Sequence, residues 1–382
     1  MTKIMEPNQT PLPYQHWMLR EIYEQPQCLA ATLDQYVENG SFRVNACEPL
    51  LKWLKSLTGE IVIAASGSSR HAAMVAELMI EGESGIAVDV EYASEYIYRP
   101  KRTRKHASLI VVSQSGETAD TLAVLRAANI AHQLTLAITN VPGSTMAREA
   151  DASFPTLAGR ERAVPATKSF TAQLLNLYLL SLLAAQTRTT ISQPDLATRL
   201  SELSQVPELL RSQIEDWNSR IATIANEYRN TNNFLYLGRD VHYPIAREGA
   251  LKMKESAYLH AEGYPSGELK HGPNALLSDG TALVMIATRD DANPDSVQRY
   301  EKVVQLMRDM RAQGVDILAI SNNGDREVEA IATHFIPVTP AREPLLCLCE
   351  VVPLQLLSYF MAVARGIDVD HPRNLTKAVL TE

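Results

Sequence analysis

Three ionisable residues in AREGALKMKES (246–256), Glu248, Lys252 and Glu255, are spaced i, i+4, i+7. On a helix that spacing puts them on one face. Their neighbours Ile245, Ala250, Leu251, Met253 and Ala257 are apolar or small, which predicts a largely buried helix with one narrow charged stripe. A carboxylate held beside a lysine there can act as a general base at neutral pH. The same row would also serve as a solvated salt-bridge ladder, and the local pattern leaves both readings open.

Anion chemistry is written elsewhere. VVSQSGETAD (111–120) ends an apolar run and sets Ser113, Ser115 and Thr118 around Gly116. ASGSSRHA (65–72) repeats the device with Ser66, Gly67, Ser68 and Ser69, and Arg70 is the only cation in either turn. At the carboxyl end of a parallel strand, a helix N-terminus offers free N–H groups and a positive dipole end. Two hydroxyl-rich turns of this kind make a phosphate cup. Ser115 would equally serve as a helix N-cap, with Glu117 compensating the dipole. Neither GxxxxGK[ST] nor GxGxxG occurs, which points to a small phosphorylated metabolite instead of a nucleoside triphosphate or dinucleotide.

His271 lies in HAEGYPSGELKHGPNAL (260–276), a glycine- and proline-rich stretch that reads as a long structured loop. His260 and His271 lack partners at zinc spacing, and no other His/Cys/carboxylate cluster stands out, so no metal is expected. The tail ARGIDVDHPRNLTKAVLTE (364–382) carries Pro372, Asn374 and Lys377 and is expected to dock instead of fraying.

These residues need a scaffold. Apolar β-branched runs at 60–66, 108–113, 134–139, 234–240, 281–291, 315–321 and 335–338 each end near a glycine or polar turn, and all but the last lead into a helical pattern. That grammar predicts a doubly wound parallel α/β sheet. It pauses at about 187–232, which is helical in period, and then restarts. Aligning IVIAASG with FLYLGRD gives an internal repeat of about 170 residues from Gly67 to Gly238. The expected organisation is an N-terminal helical segment (1–45), a first lobe (46–190), a helical connector (191–232), a second lobe (233–365) and a tail (366–382). One continuous large sheet is the alternative.

Composition bounds the rest. The 382 residues carry a net charge of −8, with 46% hydrophobic and 21% charged residues. Nothing there provides a basic footprint for nucleic acid or an anionic membrane. Cys28, Cys47, Cys347 and Cys349 form no CxxC pair, so a reducing, cytoplasmic compartment is expected. The N-terminus lacks the apolar core of a secretory signal. The run LLNLYLLSLLAA (174–185), about 12 residues, is too short to span a bilayer and suits a buried helix.

Taken together, VEYASEYIYR (90–99), SQSGETADTL, NVPGSTMAREAD (140–151), ATKSFTAQL, YPIAREGALKMKE, HAEGYPSGELKHGP and DVDHPRNLTKAVLTE resemble the isomerase domain of glucosamine-6-phosphate synthases, in the sugar isomerase (SIS) family. The likeness runs from MLREIYEQPQCL (18–29) to the last residue. It implies two SIS-type αβα lobes, with the sugar phosphate held by Ser68, Ser69, Ser113, Gln114, Ser115 and Thr118. Gly67, Val164 and Ala166 fall among the substrate-site positions. It also implies that Glu255 moves a proton between C1 and C2, that Lys377 forms a Schiff base with the open ketose, and that Lys252 and Glu248 flank the reacting carbons. His271 would help open the ring, arriving from the second subunit of a homodimer. No cofactor is implied.

Two departures qualify the likeness. The synthase has an N-terminal glutaminase domain with a terminal cysteine, whereas the first cysteine here is Cys28, so glutamine-dependent synthesis by this chain alone is not expected. In AVPATK (163–168) Ala166 stands where the family has serine, and Ser66 and Ser68 replace the usual cysteine and threonine. The leading expectation is an isomerising deaminase linking glucosamine 6-phosphate to fructose 6-phosphate and ammonia. The alternatives are a deglycase of phosphorylated fructosamine adducts, which Ala166 keeps open; an isomerase half with a separate glutaminase partner; and a non-catalytic sugar-phosphate-binding regulator, against which Glu255, His271 and Lys377 together speak.

Overall fold

In the computed structural model, residues 11–99, 106–278 and 281–377 are described. The first ten residues of the expected N-terminal segment and the last five of the tail lie outside them. Helices α1 (Trp17–Tyr23), α2 (Gln25–Tyr36) and α3 (Val44–Lys55) come first, with a small antiparallel hairpin, β1 (Val37–Glu38) and β2 (Ser41–Phe42), between α2 and α3. The first lobe runs β3 (Ile61–Ala65), α4 (Gly67–Ser84), β4 (Val88–Tyr92), α5 (Ala93–Tyr96), β5 (Ser108–Ser113), α6 (Ala119–Ile130), β6 (Thr135–Thr139), α7 (Thr145–Glu149), β7 (Ala152–Pro155) and α8 (Lys168–Arg188). After the 35-residue helix α9 (Gln193–Glu227) comes the second lobe. It runs β8 (Asn233–Gly238), α10 (His242–Ala257), β9 (His260–Pro265), β10 (Thr281–Ile286), α11 (Pro294–Ala312), β11 (Asp316–Asn322), α12 (Arg326–Ile331), β12 (His334–Val338) and α13 (Glu343–Ala364).

Both sheets are five-stranded and parallel, in the orders β4-β3-β5-β6-β7 and β9-β8-β10-β11-β12. The topology is the same twice, and the two sheets are separate, which removes the single-sheet alternative. The runs that read as strands do so because both faces are covered. Ile61, Ile63 and Ala65 point into the large core shared by the lobes, while Val62 and Ala64 point into an outer core. In β8, Phe234 and Tyr236 join the shared core, and Leu235 and Leu237 the outer one. The shared core is lined by α8 and α13, whose apolar residues are buried almost all round. Among the described residues α13 is the one helix long and apolar enough to cross a membrane, and it lies inside this core. All four cysteines are buried and free.

Three expectations need correction. The stretch 260–276 is not one loop: HAEGYP forms β9, followed by two 3-10 turns, Ser266–His271 and Pro273–Leu276. Its glycine is needed there, because a Cβ on Gly263 would meet the Arg247 backbone at 2.7 Å. The run 281–291 extends past the strand it contains, which stops at Ile286, whereas the run at 234–240 ends its strand at the glycine, Gly238. The α6 N-cap is Thr118, not Ser115.

Candidate active site

In each sheet the chain leaves its first strand toward one side and returns on the other. In the first lobe β3 lies between β4 and β5, so the topological switch point falls between β3 and β5. Ligands of open parallel sheets gather at the carboxyl ends there. The two hydroxyl-rich turns, 66–69 and 113–118, are the segments that follow those two strand ends.

The second turn is knit by its own hydroxyls. Ser113 Oγ lies 2.9 Å from Thr118 Oγ1 and 3.5 Å from Ser115 Oγ, and it accepts the Gly116 N–H at 3.2 Å. Ser115 Oγ accepts the Glu117 N–H at 3.2 Å. The Glu117 carboxylate accepts the Thr145 N–H at 2.7 Å, so it serves the start of α7, not the α6 dipole. The Gln114 carbonyl accepts the Asn140 N–H at 3.1 Å. Gly116 has φ +65°, and a Cβ there would sit 2.1 Å from Ser144 Oγ. Gly116→Ala is therefore expected to destabilise the protein by about 2–4 kcal/mol, read by urea unfolding.

The first turn starts α4 at Gly67, with φ +53° and Ser66 as N-cap. Helix starts leave N–H groups unbonded, and Gly67, Ser68 and Ser69 occupy that first turn. The Ser68 hydroxyl is not free: it donates to Glu248 Oε1 at 2.8 Å. His71, one turn on, places Nδ1 2.8 Å from Glu248 Oε2. Residues 68 and 71 share a face of α4, which brings both to Glu248.

On α10 the stripe forms as spaced. Lys252 Nζ lies 3.5 Å from Glu248 Oε1 and is ion-paired to Glu255. Glu248 and Lys252 are buried, while Glu255 keeps 22% of its side chain exposed, so Glu255 is the member of the stripe that reaches solvent. Burial alone would raise the Glu248 pKa, but the Lys252 ammonium, His71 and Ser68 outweigh it and hold the carboxyl low. Burial would likewise lower Lys252, yet Glu255, Glu248 and Glu161 hold it above its ordinary value.

The tail docks. Asp370 accepts the Trp17 and Met18 N–H groups at 2.8 and 2.9 Å, and its carbonyl accepts the Val164 N–H at 3.4 Å. Lys377 Nζ donates to Glu161 Oε2 at 2.5 Å and to the Ala163 carbonyl at 2.7 Å. Glu161 is buried and also accepts from Ser169 Oγ and from the Thr167 and Ser169 N–H groups. Burial opposes its charge, but Lys377, the Ser169 hydroxyl and the Thr167 N–H together outweigh burial and keep its pKa low. Beside it Glu21, buried and holding the Arg162 and Ala163 N–H groups, is pushed up to about 8 by burial and then by Glu161. Val164 and Ala166 sit half-buried in this turn. Glu161 pairs with Lys377 directly and adds to the charge that holds Lys252 above its ordinary value. His271 is exposed and makes no hydrogen bond or ion pair to these residues.

The second lobe handles its own switch point differently. His242 Nδ1 is 2.9 Å from Glu350, and its Nε2 is 3.3 Å from Glu343. His242, Cys347 and Glu350 form a His/Cys/carboxylate cluster within 4.8 Å, contrary to the sequence expectation, because the fold joins α10 to α13. Both ring nitrogens already face carboxylates, so the imidazolium itself fills the place a cation would take. Burial would lower the His242 pKa, but Glu350 and Glu343 outweigh it and push it up to about 10. A raised folded-state pKa contributes stability in full below about 6.5 that is lost as pH rises through 10. His242→Gln is therefore expected to remove an alkaline loss of stability between those values, read by denaturant midpoint against pH.

Comparison with known proteins follows the same outline. The family model for the SIS domain matches residues 58–183 and 227–365. A glutamine–fructose-6-phosphate aminotransferase (isomerizing) of Chlorobaculum tepidum is 41% identical over 371 residues, covering 97% of this chain, and one from Nostoc is 41% identical over 380 residues. The chain spans 59% and 60% of the length of those two relatives. Among solved structures, the C-terminal domain of glucosamine-fructose-6-phosphate aminotransferase from Francisella tularensis aligns with a TM-score of 0.87 at 32% identity, covering 95% of this chain and 100% of that one. A glucosamine-6-phosphate deaminase from Thermotoga maritima shares the fold with a TM-score of 0.71 at 23% identity, over 95% of this chain and 99% of that one.

Proposed function

The chain belongs to the SIS domain family, and we propose that it interconverts glucosamine 6-phosphate with fructose 6-phosphate and ammonia. The carrying observation is the 2.8 Å hydrogen bond from Ser68 to Glu248. It ties the hydroxyl-rich turn of one lobe to the charged stripe of the other, which supports reading phosphate anchor and proton-transfer groups as one site. In this reading the N–H groups of the two turns, that of Ser68 included, and the hydroxyls of Ser69, Ser113, Ser115 and Thr118 hold the 6-phosphate of the open-chain sugar. Glu255 takes the C2 proton of the aldose and returns it to C1, which leaves a ketimine at C2. Lys377, once deprotonated and freed from Glu161, displaces ammonia from C2 as a Schiff base, and water hydrolyses that Schiff base to the C2 ketone and the free amine. The reverse direction runs through the same steps, the lysine Schiff base forming on the ketone before ammonia displaces it. The buried Lys252 ammonium stabilises negative charge that develops during the proton shift.

The exposed His271 fits ring opening supplied across a homodimer. The purified protein, given glucosamine 6-phosphate, is expected to release ammonia and fructose 6-phosphate in equal amounts. Binding of the sugar phosphate with no turnover in either direction would sink the reading and favour a sugar-phosphate-binding regulator.

A further inference from the structure

Directly beside the stripe, α10 carries a second row one residue earlier: Arg247, Leu251 and Lys254. This row lines a cleft of about 520 Å³ whose wall toward the phosphate turn is Gly67 and His71. Tyr92, at the end of β4, organises its charge. The Arg70 guanidinium stacks 3.7 Å from the Tyr92 ring centre, and Arg247 donates to the Tyr92 hydroxyl at 3.1 Å and the Tyr243 hydroxyl at 3.4 Å.

Two guanidiniums thus share one phenol, and neither has a carboxylate within ion-pair distance among the described residues. Other arginines of this acidic chain do, including Arg126 with Glu149, Arg299 with Glu343 and Arg342 with Glu202. The nearby carboxylate in the cleft wall, Glu262, is engaged by the Tyr264 hydroxyl. Gly263 lets β9 press against the Arg247 backbone, so that guanidinium is held in place. Arg70 is half-buried, its Nε is buried without a partner, and burial followed by its neighbour Arg247 lowers its pKa against the pull of Tyr92. Paired, partly desolvated and unneutralised cations at the rim of a cleft are a site for an anion.

We propose that this cleft is a second anion subsite, taking a carboxylate or phosphate carried at the far end of a sugar phosphate bound in the neighbouring cup. The inference rests on the sugar-phosphate reading of that cup and extends it to ligands longer than a hexose monophosphate. Titration calorimetry on the full chain tests it with three probes: fructose 6-phosphate, fructose 1,6-bisphosphate, and the 6-phosphate of a fructose–glycine adduct bearing a free carboxylate. One of the two-anion probes is expected to bind about tenfold or more tighter than fructose 6-phosphate, and which one gains identifies the anion.

Arg247→Leu is expected to erase that gain while fructose 6-phosphate binding stays within about twofold. Lys254→Ala, at an exposed position, is expected to reduce it in part and keeps the test open if Arg247→Leu fails to fold. Equal affinity for all three probes, or a loss common to all three in the variants, overturns the subsite and leaves the cup standing. Failure of every probe to bind overturns both. A variant that changes only the oligomeric state assigns the arginines to a subunit contact and also overturns the subsite.

Discussion

Glu255→Gln is expected to lower turnover of glucosamine 6-phosphate by about 10²–10⁴-fold while sugar-phosphate affinity changes by less than about threefold. Glu248 and Lys252 are buried, so neither can reach a sugar carbon without leaving the core, whereas Glu255 is partly exposed at the solvent end of the stripe. Gln is close to isosteric and can still accept a hydrogen bond from Lys252, which keeps Glu248 at 3.5 Å. The fold is therefore expected to survive with a small change in melting temperature. What is lost is the proton acceptor alone, which predicts a fall in kcat with KM nearly unchanged. Ammonia release measured with the variant and with Glu255→Asp, which keeps the carboxylate at a shorter reach, separates the cases. Turnover of the Gln variant within tenfold of the parent removes Glu255 from the base role.

The parts of this site that were legible in the sequence are those built from neighbours in the chain. The hydroxyl turns lie within six residues, and the stripe within eight, so spacing alone brought them together. The central strands were legible for a related reason: Ile61–Ala65 and Ser108–Ser113 are covered on both faces, and continuous apolar runs mark that. In the two parallel sheets the strands that escaped, β4, β7 and β9, are all edges. Edge strands need not be apolar throughout and tolerate Pro and Gly, as VDVEY, ASFP and HAEGYP do. Glu161 and His71 escaped because their partners are remote: Lys377 is 216 residues from Glu161, and Glu248 is 177 from His71. No local period encodes such pairs. The His242–Cys347–Glu350 cluster was invisible for the same reason.

Glu248→Ala is expected to destabilise the protein by about 3–5 kcal/mol, the largest loss from a single surface-independent polar change in the stripe. Glu248 accepts from Ser68 Oγ and faces His71 Nδ1 and Lys252, from α4 in one lobe and α10 in the other. Its removal leaves the half-buried Ser68 hydroxyl and the buried His71 imidazole without that partner and takes one of its carboxylates from Lys252. Because its pKa is lowered on folding, the stability it contributes is present above the ordinary value of 4.5 and is lost as pH falls through the lower folded value. The parent should therefore approach the variant's stability in acid. A double-mutant cycle with Ser68→Ala tests the link between lobes: a coupling of about 0.5–3 kcal/mol is expected in urea unfolding, and the same pair should be non-additive in sugar-phosphate binding. Additive losses in both measurements would mean that Glu248 only neutralises Lys252. In that case the phosphate turn and the proton-transfer stripe would be neighbours without being one device.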